Sequence, residues 1–411
     1  NNYDNWQPRV GFAYTPETNT VVRGAFGIFF DVWSGMRQTV QGIGGDWPSV
    51  TQPSAQNQDP VTAIPTVDMA NPLSGTTSLP AATPFTQSTY YRDPKAQNPM
   101  SYQYNFGIQQ QLNSHTILAI DYVGSKNTRL PIGGGLYNVA AYAAPGTAAD
   151  VISRRPYPNI TPTRYDRSIG WGNYNGLETR LQQTEFHGLQ YIISYTWSKT
   201  MDTSCDGLFG VEGCSMPNPY DIRHDYSVAG YDLPNNLSVS TTYNLPIGRG
   251  RLININNSIL RRVVGGWQVN GIYAMTSGQP FSITVTGDFA NTGNTNQDRG
   301  DRIGDPYLAN RTRQKWFNTA AYTTPTLYTY GNSGRNELRG QVYHNLDASV
   351  FKRVEIDDKR RLEFRLEAFN ALNHLVLGTP GTNVSTPASF GIVSSSRSSA
   401  RQVQVAVKFV Y

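Results

Sequence analysis

The sequence predicts an all-β chain: an antiparallel, up-and-down transmembrane β-barrel, present in part as about 13 strands. Three observations predict it. Apolar and polar residues alternate strictly in segment after segment. The segments are long for strands. Their connections alternate between short and long.

The alternation is plainest in five segments. In 188–199, Leu189, Tyr191, Ile193, Tyr195 and Trp197 oppose Gln190, Ser194, Thr196 and Ser198. In 236–245, Leu237, Val239, Thr241, Tyr243 and Leu245 oppose Ser238, Ser240, Thr242 and Asn244. Segment 101–111 sets Tyr102, Tyr104, Phe106 and Ile108 against Gln103, Asn105, Gln109 and Gln111. Segment 265–276 sets Trp267, Val269, Tyr273 and Met275 against Gln268 and Asn270. In 360–370, Leu362, Phe364, Leu366 and Ala368 alternate with Arg361, Glu363, Arg365 and Glu367. Successive Cβ atoms of a strand point to opposite sides, so each set occupies one face. The remaining strands are placed near 6–14, 20–30, 115–123, 173–183, 224–232, 281–287, 343–353 and 401–411.

Length sharpens the reading. Most segments run about 9 to 12 residues, against ~5–6 for a globular strand and ~9–11 for a tilted strand crossing a bilayer. The connections sharpen it further. Those at 15–19, 112–114, 184–187, 233–235, 277–280 and 354–359 are short. Those at 31–100, 124–172, 200–223, 246–264, 288–342 and 371–400 are long. Short periplasmic turns and long extracellular loops produce this alternation, and a soluble sandwich does not require it.

Composition agrees. Charged residues are 15%, aromatics 12% and the mean hydropathy is −0.45, with no run of 18 apolar residues, which excludes helical spans. The aromatics and β-branched residues exclude a disordered chain. The net charge of +5 is scattered, so nucleic acid is not an expected partner. No charged leader with an apolar core follows Asn1, so the chain reads as a mature product or a fragment. Cys205 and Cys214, in a Gly-rich segment, suit either a small disulfide-closed loop in an oxidising compartment or two unpaired thiols.

The last strand carries Val403, Val405, Val407, Phe409 and the final Tyr411 on one stripe. It resembles the β-signal recognised by the outer-membrane assembly machinery, and an ordinary C-terminal strand is the alternative. Beyond the strands, the sequence resembles the barrel of the Oar-like TonB-dependent transporters. The resemblance rests on an ordered series: 6–14 (WQPRVGFAY), 20–24 (TVVRG), 27–31 (GIFFD), 221–225 (DIRHD), 265–271 (GGWQVNG), 277–281 (SGQPF), 317–322 (FNTAAY), 331–335 (GNSGR), 338–340 (LRG) and 367–374 (EAFNALNH). It implies an outer-membrane location in a Gram-negative-type bacterium. It further implies energised transport of an extracellular ligand, and a regulatory-like domain, plug and TonB box upstream. The strand number falls short of the 22 of a plugged transporter barrel. Residues 1–411 therefore read as the C-terminal part of such a barrel, with its partners the membrane lipid, the assembly machinery and, through upstream parts, the plug and TonB.

No enzyme motif is present, no cofactor site is expected, and the five histidines show no paired ligand spacing. His224 reads as a structural hydrogen-bonder. Glu178, Arg180, Arg361, Glu363, Arg365 and Glu367 are expected to face the lumen. Asp288, Asp298, Asp301 and Asp305 offer oxygen ligands for calcium, but the spacing of an EF-hand is missing, Arg299 and Arg302 offset their charge, and a turn-rich extracellular loop is the preferred reading. Trp33, Trp47, Tyr90 and Tyr91 in the longest loop are candidate ligand contacts, with packing of the loop on itself the alternative. The alternative function is a surface-exposed structural or adhesive β-protein acting through its long loops.

Overall fold

The computed structural model describes residues 5–31, 70, 90–132, 136–141, 148–158, 163–203, 216–248, 252–294, 298–357 and 360–411. Eleven strands follow one another in a single antiparallel sheet. They are β1 (Arg9–Glu17), β2 (Thr20–Phe30), β3 (Met100–Asn113), β4 (Thr116–Ile132), β5 (Thr163–Phe186), β6 (Leu189–Asp202), β7 (Asn235–Asn244), β8 (Trp267–Thr276), β9 (Tyr343–Glu355), β10 (Arg361–Phe369) and β11 (Gln402–Val410). Two short helices, α1 (Ala148–Ser153) and α2 (Ser258–Val264), stand outside the sheet. Each strand pairs with its neighbours in sequence. Among the described residues β1 pairs only with β2, and β11 only with β10.

Register turns the alternation of single strands into two continuous faces. From β1 to β6 one face runs through Phe12, Gly24, Phe106, Tyr122, Leu177 and Trp197. From β7 to β11 it runs through Val239, Tyr273, Leu346 and then Val350, Leu366 and Val405. This face is apolar and bare: Val405 is 74% exposed and Trp197 61%. The opposite face carries Arg23, Asp121, Glu178, Ser194, Ser240, Ser349, Glu367 and Gln404. Aromatics gather toward both ends of the apolar face. Tyr104 and Trp197 lie toward the long loops, Tyr122 and Tyr195 near mid-strand, and Tyr14, Tyr243, Trp267 and Phe409 toward the short turns.

The short turns explain themselves locally. His187 and Gly188 both take positive φ, 52° and 85°, the twist-matched two-residue hairpin that favours glycine. A Cβ on Gly188 would stand 2.1 Å from the Asn244 carbonyl oxygen, so glycine is required there.

Two expected crossing strands are not part of the sheet's path. Segment 281–287 does alternate, but Phe281, Ile283 and Val285 are buried in a core built from loops; Pro280–Phe281 pairs with Leu338–Arg339, and Thr284 makes isolated bridges to Arg299 and Asn383. Period-2 patterning reports a two-sided strand without saying which solvent meets each side. In segment 224–232, Ser227–Val228 alone pairs, extending the edge of β6. Its aspartates Asp225 and Asp232 are buried and held by arginines. These losses invert one connection. Segment 246–264, expected among the long loops, lies at the short-turn end, where Asn244 N–H donates to Gly188 O at 2.8 Å and Arg353 N–H to Gly266 O at 2.9 Å.

Candidate functional site

The larger buried core of the described residues is not in the sheet. It sits in the loops at the opposite end, where segments 277–342 and 370–401 fold together into a cap. Phe317 meets Phe390 and Tyr322 edge-on, with ring centroids 5.1 Å and 5.9 Å away, and Phe281 at a tilt, 6.0 Å away. Ile283, Trp316, Leu338 and Val393 complete the cluster. Backbone bonds run between the segments, among them Trp316 N–H to Gly391 O at 2.9 Å and Val393 N–H to Arg313 O at 2.8 Å.

Charge fastens this cap to its neighbour. Three arginines of the 277–342 loop reach aspartates at the end of β6 and in the loop after it: Arg299 to Asp225, Arg335 to Asp202 and Arg339 to Asp232. Arg299 is 0% exposed and Asp225 2%. Arg335 Nε also donates to Asp225 O at 3.0 Å, and Arg339 donates to Asp232 O at 3.0 Å and Gly278 O at 3.2 Å. Close backbone approach is needed to bring them together. A Cβ on Gly331 would fall 1.8 Å from Arg299 O. A third segment joins from the 133–162 loop: Ala140 N–H bonds Thr292 O at 3.0 Å, and Arg154 reaches Asn291 O at 2.7 Å.

The carboxylates considered for calcium are occupied by turns. Asp288 accepts N–H bonds from Thr292 at 2.8 Å and Gly293 at 2.6 Å. Asp298 accepts Phe289 N–H at 2.8 Å, Asp301 accepts Asn332 N–H at 2.9 Å, and Asp305 accepts Tyr307 N–H at 3.0 Å. Among the described residues no three His, Cys, Asp or Glu side chains gather as a metal would require. Burial pushes the Asp298 carboxyl up to about 6, although the N–H groups of Phe289 and Ala290 pull it down. The folded cap therefore holds this proton more tightly than the unfolded chain. Its contribution is complete below pH ~4 and is lost as pH rises through about 6. That swing is of the order of 3 kcal/mol. Hydrogen exchange of 288–298, corrected for intrinsic rates, should show easier opening at pH 7.5 than at pH 4.5. Asp298→Asn should remove the difference.

Glu178, Arg180, Arg361, Glu363, Arg365 and Glu367 share the polar face. Glu363 sits between Arg353, at 3.2 Å, and Arg365, and Glu367 accepts from Gln404. Across the sheet, Arg23 grips Asp121 at 3.0 Å. Val403, Val405, Val407 and Phe409 lie on the apolar face of β11, opposite Ala368, Leu366, Phe364 and Leu362. The ring of Tyr411 stacks 6.1 Å from that of Phe409. Tyr90 and Tyr91 belong to a short strand (Tyr90–Arg92) parallel to the long-loop end of β5. Trp33, Trp47, Cys205 and Cys214 lie outside the described residues. Sequence reasoning missed the three arginine–aspartate pairs. Their signal was present: the motifs 221–225, 331–335 and 338–340 contain Asp225, Arg335 and Arg339. On its surface the cap exposes Ile303, Tyr307 and Leu327, and the neighbouring loop exposes Tyr231.

Comparison with known proteins supplies the family. The family model described as outer membrane beta barrel domain matches residues 1–404. No curated protein matches the sequence. Similar solved structures include the outer membrane transporter YddB of Escherichia coli, at 9% identity and TM-score 0.46, over 95% of this chain and 38% of that one. The ferripyoverdine receptor of Pseudomonas aeruginosa is similar at 11% identity and TM-score 0.45, over 98% of this chain and 32% of its own. The FrpB iron transporter of Neisseria meningitidis is similar at 9% and 0.44, over 98% and 38%. The chain spans about a third of the length of each. With a sheet apolar on one face and polar on the other, and a family match along almost its whole length, the chain belongs to the outer membrane β-barrel domain family and resides in the outer membrane.

Proposed function

We propose that this chain is the C-terminal part of the barrel of a TonB-dependent transporter of the Oar-like kind. The polar face lines the lumen, where Arg23, Asp121, Glu178, Arg180, Arg361, Glu363, Arg365 and Glu367 meet a plug supplied by a preceding part of the protein. The loop cap lies outside the cell and captures the ligand. Energised TonB then displaces the plug. The work is binding and gating without covalent chemistry. The β11 stripe ending at Tyr411 is the segment that the barrel-assembly machinery would read.

The observation that carries this reading is a two-faced sheet whose outer strands, β1 and β11, have no second partner among the described residues. Facing lipid, free N–H and C=O groups at β1 and β11 are not tolerated, so the wall requires further strands. Eleven long strands are half of the 22 in plugged transporter barrels.

The test is to read the parent reading frame upstream of Asn1, then to ask whether the full-length protein binds the periplasmic domain of TonB. A plug, a TonB box and about ten further strands, with TonB binding, are expected. A frame holding only a leader and completing strands would refute gated transport. The cap's own aromatic core would then favour the adhesive reading, in which the strands only display the loops.

A further inference from the structure

The connection 245–266 stands at the short-turn end, the periplasmic end of an outer-membrane barrel, yet it is far longer than the turns beside it. We propose that its helix α2 is a membrane-surface anchor, lying in the headgroup–acyl boundary of the periplasmic leaflet with phospholipid as its partner. The inference needs only the outer-membrane barrel and is independent of the transport reading.

The helix is short and is held at both ends. The Asn257 side-chain oxygen accepts the N–H groups of Ile259 and Leu260, each at 3.0 Å, a side-chain cap on the first turn. At the other end the Trp267 indole N–H donates to Val263 O at 3.1 Å. The Lys352 ammonium donates to Val263 O at 3.1 Å and to Gly265 O. Cations suit a helix C-terminus because its last carbonyls lack partners. Gly266 enables the return into β8: its φ is +71°, and a Cβ there would stand 2.5 Å from Arg353 O.

The docking residues fix where the helix lies. Trp267 and Lys352 are register partners on the face that carries Val269 and Val350 one step further along, so α2 is fastened to the lipid-facing side of the wall. Lys352 Nζ rests 5.2 Å from the centre of the Trp267 ring. An interfacial Trp beside a Lys is the residue pair that marks the membrane boundary.

The face left open is apolar. Ile259, Leu260 and Val263 are 75%, 50% and 61% exposed, and their spacing of one, three and four places them on one side of a helix. Leu252 and Ile253 on the approach are exposed as well. Arg262, by contrast, borders the polar rim cleft shared with Arg353, Glu355 and Asp357. An apolar arc against a basic edge is the pattern of a helix lying in a membrane interface. The occupant is lipid rather than protein because the arc continues the apolar band of β8 and β9.

The experiment uses the full-length protein, with Cys205 and Cys214 replaced by serine, folded into phosphatidylethanolamine–phosphatidylglycerol vesicles. A bimane label is placed in turn at Ile259→Cys, Val263→Cys and, in the exposed β1–β2 turn at the same end, Thr18→Cys. Doxyl-labelled phospholipid should quench the labels at 259 and 263 at least about twofold more than the label at 18, and aqueous iodide should show the reverse order. Labels at 259 and 263 open to iodide would put the helix in water and overturn the proposal. Labels shielded from both quenchers would put a protein there, another copy or a partner, and overturn it equally. Leu260→Cys provides a further site should either substitution impair folding, which heat-modified gel mobility reports.

Discussion

Replacing Arg299 by leucine is expected to unfasten the loop cap while the strands beneath it stay paired. The guanidinium is fully buried and its partner Asp225 nearly so. Removing it leaves a carboxylate in a dry site with no counter-charge, a change that costs about 3–5 kcal/mol. The loss falls on the junction between the 277–342 loop and the segment after β6. Limited proteolysis should therefore cut Arg299→Leu within 277–342 at protease levels that leave the native cap whole. The slow migration of the unheated barrel should persist. Removing the partner's charge as well, as Arg299→Leu with Asp225→Leu, should restore much of the resistance, since buried pairs are often replaceable by apolar residues. A single variant as resistant as the native protein would contradict the assignment of this pair as a fastener.

Phe317→Ala is expected to cost about as much, ~3–5 kcal/mol, by a different route. The ring contacts Phe281 and Tyr322 of its own loop and Phe390 of the 370–401 loop. Truncation leaves a void among rings that cannot collapse, because each is anchored elsewhere; Tyr322 donates its hydroxyl to Glu337 at 2.6 Å. The two loops should then open independently. Hydrogen exchange should rise in 376–393 as well as around Phe317. A rise confined to residues beside Phe317 would indicate that the loops do not share one core.

Much of the sheet was legible in the sequence, because lipid on one side and water on the other impose a strict period of two. Segments 188–199 and 360–370 match β6 and β10 almost end for end. The same signal misled at 281–287, where Phe281, Ile283 and Val285 alternate to fill a water-bounded loop core. The cap itself was hidden for another reason. Its fasteners join Asp225 to Arg299 and Asp202 to Arg335, residues far apart in the chain, and no local pattern announces such a pair. Only the ordered motifs hinted at them. The turn chemistry of Asp288 and Asp298 was legible as a preference for turns, from the missing EF-hand spacing and the offsetting arginines, but not bond by bond, since the same oxygens serve backbone N–H groups or a cation.

Which face of the sheet meets lipid decides the barrel, and β11 tests it most directly. Val405 lies mid-strand opposite Leu366 on the apolar face, and the preceding Gln404 lies opposite Glu367 on the polar one. In the full-length protein folded into bilayers, Val405→Arg should lower the folding free energy by about 2–4 kcal/mol, whereas Gln404→Arg, placed beside a carboxylate, should leave it nearly unchanged. Equal costs at the two positions, or a larger cost at Gln404, would contradict the assignment of the apolar face to lipid and the barrel reading with it.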